Sequence, residues 1–363
     1  MKQIVITAGG TGGHIFPAEA LATLLTNKGY KVFFITDKSS RRFQSLPKGV
    51  QVLHLPFHKN RKGLWNKLKF FTLLAYACYH AWRGLKFIKP SFVIGFGGYP
   101  SFPTIFASKW LKIPYILHEQ NSVLGRVNRF FSKKAYVVAT AFDTILKMPK
   151  TVNSVKVGNP VRRDFYMYRE TGYQAPGGND RINILVTGGS QGAQVFSKVL
   201  PVAVERLSKN VKERLYITHQ CPAKDVEDLR NAYYQRNIHA NVMDFIDDMA
   251  ERMARAHLII GRAGASAIAE LQVIGRPALL VPYPYAMDDH QYFNAESIEK
   301  KRAGWLVRES MLTPEYLFAR IDALIKNPSL LEDGAANMKK LGDLNTLDNI
   351  YTLIHNFEQE NIL

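Results

Sequence analysis

Four short stretches carry residues whose types and spacing suit work on a phosphorylated, hydroxyl-rich ligand. The first, Thr7-Ala8-Gly9-Gly10-Thr11-Gly12-Gly13-His14, directly follows a β-branched run. Glycines let backbone N–H groups approach a phosphate, and the start of a helix adds partial positive charge. The helix is predicted to begin near Pro17, with Ala18, Ala20, Leu21, Leu24 and Leu25 on its buried side. The stretch is neither G-x-G-x-x-G nor a P-loop, and a ligand-free turn would be spelled the same way. His14 closes the run. Imidazole titrates near neutral pH, so His14 is the first candidate general base, with a purely orienting role as the alternative.

The same design recurs further along. Ile182–Thr187 runs into Gly188-Gly189-Ser190-Gln191-Gly192-Ala193, a second glycine turn with a serine hydroxyl to offer a phosphate. Ahead of it lies Gly158-Asn159-Pro160-Val161-Arg162-Arg163. The Arg162 fork matches phosphate oxygens, although a surface ion pair would use the same residue. The third stretch, Ile259–Glu270, spells strand, small-residue turn and helix. Glu270 falls about one and a half turns into that helix. At that depth a carboxylate accepts two ribose hydroxyls, whereas a lone helix glutamate is otherwise an ordinary exposed side chain. The fourth, Pro282–Gln291 followed by Tyr292-Phe293-Asn294-Ala295, is a proline-bounded loop whose acids and amides suit sugar hydroxyls.

These stretches sit at the ends of strands. β-Branched runs occur at 4–7, 31–35, 50–55, 92–95, 115–118 and 135–139, and again at 182–187, 215–219, 241–244, 258–261 and 278–282. Helical patterns alternate with them, which argues for α/β architecture with parallel sheets. Two such series predict two doubly wound, Rossmann-like domains facing a cleft, with ligands at the carboxyl ends of the strands. The expected boundaries are 1–163, a Gly/Pro-containing linker at 164–181, a second domain at 182–340, and a C-terminal helix at 341–363 that packs back on the first domain.

Composition narrows the class. The chain of 363 residues is 47% hydrophobic and 21% charged, enough apolar material for two cores. Its two cysteines, Cys78 and Cys221, form no pair or metal motif and suit a reducing compartment. The N-terminal apolar run is too short for a signal peptide and reads as a strand. Residues 1–165 hold 26 Lys and Arg against 5 Asp and Glu, whereas the remainder holds 22 against 25. A net charge of +18 gathered in one half predicts an anionic partner for that half.

Gly9–His14, Gly97-Gly98-Tyr99, His118-Glu119-Gln120-Asn121, Gly158–Arg162, Gly188–Ala193, Phe245–Met249, Arg262–Glu270 and Asp289–Ala295 stand in order along most of the chain. In these stretches the sequence resembles the MurG family of peptidoglycan glycosyltransferases, two-domain enzymes of the GT-B fold. The resemblance implies inverting transfer of GlcNAc from UDP-GlcNAc to the muramyl 4-hydroxyl of lipid I, giving lipid II. By position, it implies that Ile246 receives uracil through its backbone, Glu270 binds ribose, Ser190 and Arg162 meet the diphosphate, and Gln291 reads GlcNAc hydroxyls. Thr11, Gly12, Gly13, Asn121, Gln191 and Gly192 join the implied donor site, as does the turn Ala265-Ser266-Ala267-Ile268-Ala269. Gly10, Gly97, Gly98, Tyr99, His118 and Glu119 make the implied acceptor site, with His118 and Glu119 as weaker candidate bases that could equally serve packing. Ala263, Ser266 and His290 stand where Ser, Thr and Gln are usual, and Pro100, Phe102 and Thr104 replace further glycines. No metal-ligand cluster is visible, so neither metal site nor resident cofactor is expected, although UDP could carry a Mg²⁺. Other cell-wall synthesis proteins are conceivable partners.

Residues 59–90 carry eight Lys or Arg and no acid around an apolar stretch, Phe70–Trp82. Leu68, Phe71, Ala75, Cys78, Trp82 and Leu85 form one predicted core stripe. Phe70, Leu73 and Leu74 fall off it and, with Lys67 and Lys69, are predicted to meet an anionic bilayer. The expected location is peripheral, on the cytoplasmic face of the plasma (inner) membrane. Two rivals remain. Another UDP-sugar transferase with a lipid acceptor would share the donor site. A nucleic-acid binder would explain the basic half, but no recognition motif supports it.

Overall fold

The computed structural model describes residues 2–37, 46–56, 64–189 and 193–360, without the side chains of 64–69. The chain divides into two compact units, Met1–Arg162 with Leu344–Leu363, and Arg163–Asp343.

Among the described residues, the first unit holds β1 (Gln3–Thr7), β2 (Lys31–Asp37), β3 (Gln51–Leu55), β4 (Phe92–Gly95), β5 (Tyr115–Glu119), β6 (Val137–Thr140) and β7 (Ser154–Lys156). They pair in parallel in the order β3-β2-β1-β4-β5-β6-β7. Runs such as Val32–Ile35 are buried on both faces, as continuous β-branched and aromatic sequence requires in a parallel sheet. β7 is wholly exposed and lacks an apolar run, so the sequence pattern missed it. Helices α1 (Gly12–Asn27), α2 (Leu64–Ile88), α3 (Phe102–Trp110) and α4 (Arg126–Phe131) belong to this unit. The helix Thr346–Glu360 returns to it: Ile350, Ile354 and Phe357 join the core of Ile4, Phe34, Phe92 and Ile116.

The second unit holds β8 (Ile182–Thr187), β9 (Leu215–Gln220), β10 (His239–Met243), β11 (Leu258–Gly261), β12 (Ala278–Leu280) and β13 (Gly304–Leu306), again parallel, in the order β10-β9-β8-β11-β12-β13. The segment expected as a linker is bound to this unit instead. Buried Arg276 donates to the Gly172 carbonyl at 3.2 Å, and the Tyr173 hydroxyl donates to the His257 carbonyl at 2.8 Å.

In each sheet the order reverses beside the first strand, between β1 and β4 and between β8 and β11. Connections leave such a point in opposite directions, so the loops at the carboxyl ends of those strands are left uncovered for ligands.

Candidate active site

The first reversal point joins two glycine turns. Phe96 donates its N–H to the Thr7 carbonyl at 2.9 Å, bringing the chain after β4 alongside the chain after β1. A Cβ at Gly98 would lie 2.7 Å from the Gly9 carbonyl oxygen, and one at Gly9 would lie 2.7 Å from Pro100 Cβ. The contact therefore tolerates no side chain at either position. Gly10, Gly97, Gly98 and Tyr99 all belong to this junction.

The helix α1 begins earlier than predicted. Thr11 is its N-cap in extended conformation, and Gly12, Gly13 and His14 form the first turn. Pro17 lies inside the helix, not at its start. Glycine has the lowest helix propensity bar proline, but here its lack of a side chain keeps the N-terminal N–H groups approachable. Gly10 and Thr11 are exposed, and the next three residues are half-buried. His14 Nδ1 lies 3.1 Å from Thr11 Oγ1. For His14 to accept a proton at Nε2, Nδ1 must hold its own and donate to that hydroxyl.

His118 and Glu119 do not face a ligand. Both are at most 2% exposed. Gln120 Nε2 donates to His118 Nδ1 at 3.1 Å, so Nε2 carries the proton and donates to the Gly158 carbonyl at 2.9 Å. Burial pulls this imidazole down to about 4, which keeps it neutral. Glu119 accepts from Gly125 N at 2.9 Å, Asn128 Nδ2 at 2.9 Å, Asn121 N at 3.1 Å and Asn121 Nδ2 at 3.3 Å. Burial raises its carboxyl, and these bonds oppose the rise. The two side chains are spent on supporting the 119–128 loop. Asn128, which sequence reasoning missed, ties that loop to the glycine junction: a Cβ on Gly97 would meet its amide at 3.2 Å.

Arg162 is half-buried, with its guanidinium 5.4 Å from the Phe16 ring centroid on α1. Asn159, three residues earlier, is 7% exposed, and its buried amide has no hydrogen-bond partner.

At the second reversal point β8 likewise ends in a glycine turn. Gly189, with φ +72, donates its N–H to Thr187 Oγ1 at 3.3 Å. Thr187 Oγ1 donates to Gln220 Oε1 at 2.9 Å, and Gln220 Nε2 donates to the Asp244 carbonyl at 3.3 Å. That chain links the turn after β8 to the loop after β10, which carries Ile246. Ile246 is 4% exposed, so only its main chain is available. Ser190, Gln191 and Gly192 lie outside the described residues.

The helix Ala265–Ile274 starts at the extended N-cap Gly264. Its first-turn N–H groups at Ala265, Ser266 and Ala267 suit an anion. Ile268 and Ala269 follow with buried side chains, and the Ile268 N–H donates to the Gly264 carbonyl at 3.0 Å. Glu270 is half-buried on the same helix. Arg262 donates to the Val281 and Pro282 carbonyls at 3.2 Å and pairs with Glu309, locking the turn to the loop that follows β12. In that loop Asp288 and Asp289 both have left-handed φ, +55 and +53. Arg308 pairs with Asp289 at 3.0 Å and lies over the Tyr292 ring at 3.9 Å. Gln291 Oε1 accepts from Tyr283 N at 2.9 Å, so its NH₂ remains to donate. Arg262 and Arg308 were missed as loop fasteners because nothing in their local sequence reveals the carbonyls and rings they meet. Among the described residues no group of three His, Cys, Asp or Glu could hold a metal.

The face of α2 departs from prediction in part. Leu85 is buried as expected and Cys78 and Trp82 are half-buried, but the other buried side chains among those described are Ala77, Ala81 and Ile88, whereas Phe71 is 63% exposed and Ala75 is exposed too. Phe70, Leu73 and Leu74 are only half-buried. The side chains of Lys67, Leu68 and Lys69 lie outside the described residues. A helix with apolar residues on every side offers several stripes, and packing on α3 selected another one.

Residues 4–140 match the glycosyltransferase family 28 N-terminal domain and residues 183–348 its C-terminal domain. A UDP-N-acetylglucosamine–N-acetylmuramyl-(pentapeptide) pyrophosphoryl-undecaprenol N-acetylglucosamine transferase of Rhodospirillum centenum is 41% identical over 93% of this chain and 89% of its own. One of Wolbachia pipientis is 38% identical over 98% and 99%. The crystal structure of Acinetobacter baumannii MurG superposes with a TM-score of 0.79 at 31% identity, covering 98% of this chain and all of that one. VinC, solved with dTDP, shares the fold at 15% identity and a TM-score of 0.66. With both halves matched in order, and glycine turns at both reversal points, the chain belongs to glycosyltransferase family 28.

Proposed function

We propose that the chain transfers N-acetylglucosamine from UDP-GlcNAc to lipid I, giving lipid II for peptidoglycan synthesis. The observation that carries this reading is identity of 36–41% over at least 93% of the chain to relatives named for that transfer. The muramyl 4-hydroxyl attacks the anomeric carbon in line while the bond to the β-phosphate oxygen breaks, which inverts that carbon. Holding both reactants supplies up to ~7–11 kcal/mol of the barrier reduction. His14 takes the hydroxyl proton at Nε2, a contribution of roughly 10²–10⁴-fold. The leaving diphosphate takes up the bonding electrons and is stabilised by Arg162 and the N–H groups of Ala265–Ala267. Glu270 accepts the ribose hydroxyls, the Ile246 main chain meets uracil, and the Gln291 NH₂ donates to the sugar. A Mg²⁺ carried by UDP would share the diphosphate charge.

Purified protein incubated with radiolabelled UDP-GlcNAc and lipid I should move label into lipid II on chromatography. Label appearing only in another lipid, or remaining in the nucleotide, would overturn the reading.

An undecaprenyl-linked acceptor would put the work at a bilayer surface, and we infer the cytoplasmic face of the plasma membrane. Among the described residues no helix is long and apolar enough to cross a bilayer. Phe71, Tyr79 and Phe87 on α2 are 63%, 51% and 88% exposed, with Trp110 on α3 at 72% and Phe130 on α4 at 64%. Arg83 and Lys86 accompany them. Exposed aromatics with cations suit an anionic interface at ~1 kcal/mol per Lys or Arg. Phe70, Leu73 and Leu74, half-buried, would contribute less to docking than these.

A further inference from the structure

Glu19 is the only acidic residue of α1, and it lies among the helix's buried residues, close to Ile15, Ala18 and Ala22. It is 3% exposed, and its Oε1 is buried with no hydrogen-bond partner among the described residues. A carboxyl in such a place is costly and contributes nothing to packing that a leucine would not. Its compensation lies three residues back. Phe16 and Glu19 share a helix face. Arg162 lies over the Phe16 ring, 5.4 Å from its centroid, and its charge acts on Glu19.

We propose that Glu19 is a positioning residue that holds the Arg162 guanidinium against Phe16, aimed for the diphosphate of the sugar nucleotide, and lets it go when protonated. The inference rests on the reading of Arg162 as a diphosphate ligand. An arginine side chain held in place before binding loses less freedom when it grips an anion. The Phe16 ring lies beside it at 5.4 Å, and the Glu19 carboxylate acts on it through charge, without an ion pair between the two among the described residues.

Protonation of Glu19 falls in a useful range. Burial pushes its carboxyl up to about 7, with Arg162 pulling the other way. The hold is therefore present above about pH 7 and is lost as pH falls through that value. Among the described residues, the other titratable and charged groups on α1 and on elements packed against it have other partners: His14 lies 3.1 Å from Thr11 Oγ1, and Lys28 lies over the Tyr351 ring. Asp37 lies against Gly9, Glu358 pairs with Lys2 and Tyr30, and Lys31 lies over Phe33. The diphosphate of UDP-GlcNAc has no proton to gain near neutrality, so it does not mimic the effect.

The test is steady-state kinetics with UDP-GlcNAc as the varied substrate at about pH 8 and about pH 6, for wild type, E19Q, E19L, R162A and E19Q/R162A. In wild type, the donor KM should rise several-fold toward the lower pH. E19Q and E19L should raise it roughly tenfold at the higher pH with kcat little changed, and should abolish its pH dependence. The double variant should be no worse than R162A alone. Wild-type donor KM and pH dependence in E19Q would overturn the proposal, as would tighter donor binding, which would mean that the carboxylate opposes the diphosphate. Loss of kcat with a lowered melting temperature in both Glu19 variants would reduce Glu19 to a packing residue. A normal donor KM in R162A would instead remove the reading of Arg162 itself.

Discussion

Replacing Gly98 by alanine tests the glycine junction. Gly98 has φ +74 and ψ 155, a region open almost only to glycine. The added methyl would also stand 2.7 Å from the Gly9 carbonyl oxygen, closer than real Cβ contacts come. The backbone cost alone is about 1–3 kcal/mol, and separating the two turns adds to it, so a total of roughly 2–4 kcal/mol is expected. For a unit of this size that corresponds to a melting temperature lower by about 5–15 °C. Activity should fall further than stability, because Gly10, Tyr99 and the start of α1 move together, and a displacement near 1 Å can cost ~10²-fold. The assay pairs thermal unfolding with lipid I kinetics below the melting temperature. Gly178→Ala is the control, since a Cβ there meets nothing within 4 Å and no positive φ is involved. If Gly98→Ala melts with wild type and keeps its kcat/KM for lipid I, the two turns do not depend on one another and the argument fails.

Three further outcomes follow from the geometry. Glu270→Ala should weaken UDP binding by calorimetry by about 1–3 kcal/mol, because the ribose hydroxyls lose their acceptor; unchanged affinity would remove Glu270 from the site. Replacing Phe71, Tyr79 and Phe87 together by serine should reduce flotation with phosphatidylglycerol vesicles and make it less salt-sensitive. The same loss from Phe70, Leu73 and Leu74 alone would restore the other face of α2. Burial pulls His118 down to about 4 and His219 to about 3, whereas an unfolded histidine titrates near 6.5. The unfolded chain then holds more protons at these two imidazoles below about pH 6.5, which lowers urea midpoints toward pH 4.5, while Glu19, pushed up to about 7 in the folded protein, opposes the fall; His219→Phe should therefore lessen the fall, and a profile parallel to wild type would contradict the burial of His219.

The strand–glycine–helix units were legible because each is written locally: a β-branched run, a turn that needs no side chains, then a helical period. Local sequence could not say which way a side chain turns once several elements meet. His118 and Glu119 look like catalytic residues at a strand end, yet the Gly158 carbonyl and Asn128, both distant in sequence, absorb them into the loop's support. Glu19 reads as an ordinary surface glutamate until the arrival of Arg162, more than a hundred residues later, explains its burial. On α2 the apolar residues surround the axis, and the buried stripe is chosen by α3. The short strands β7 and β13 are specified by pairing with their neighbours more than by their own residues.

The return of the helix Thr346–Glu360 to the first sheet has a consequence for synthesis. Ile354 and Phe357 fill a core begun by Ile4 and Ile6, so that core stays open until residues 346–360 have left the ribosome. The unit of Arg163–Asp343 is continuous in sequence and has all its strands earlier. Domains generally fold as units in N-to-C order during translation, yet here the unit started first is the one finished last. Nascent chains arrested before Thr346 should therefore expose the apolar face around Phe92 and Tyr136, against which Phe357 packs at 5.6 and 4.8 Å between ring centroids.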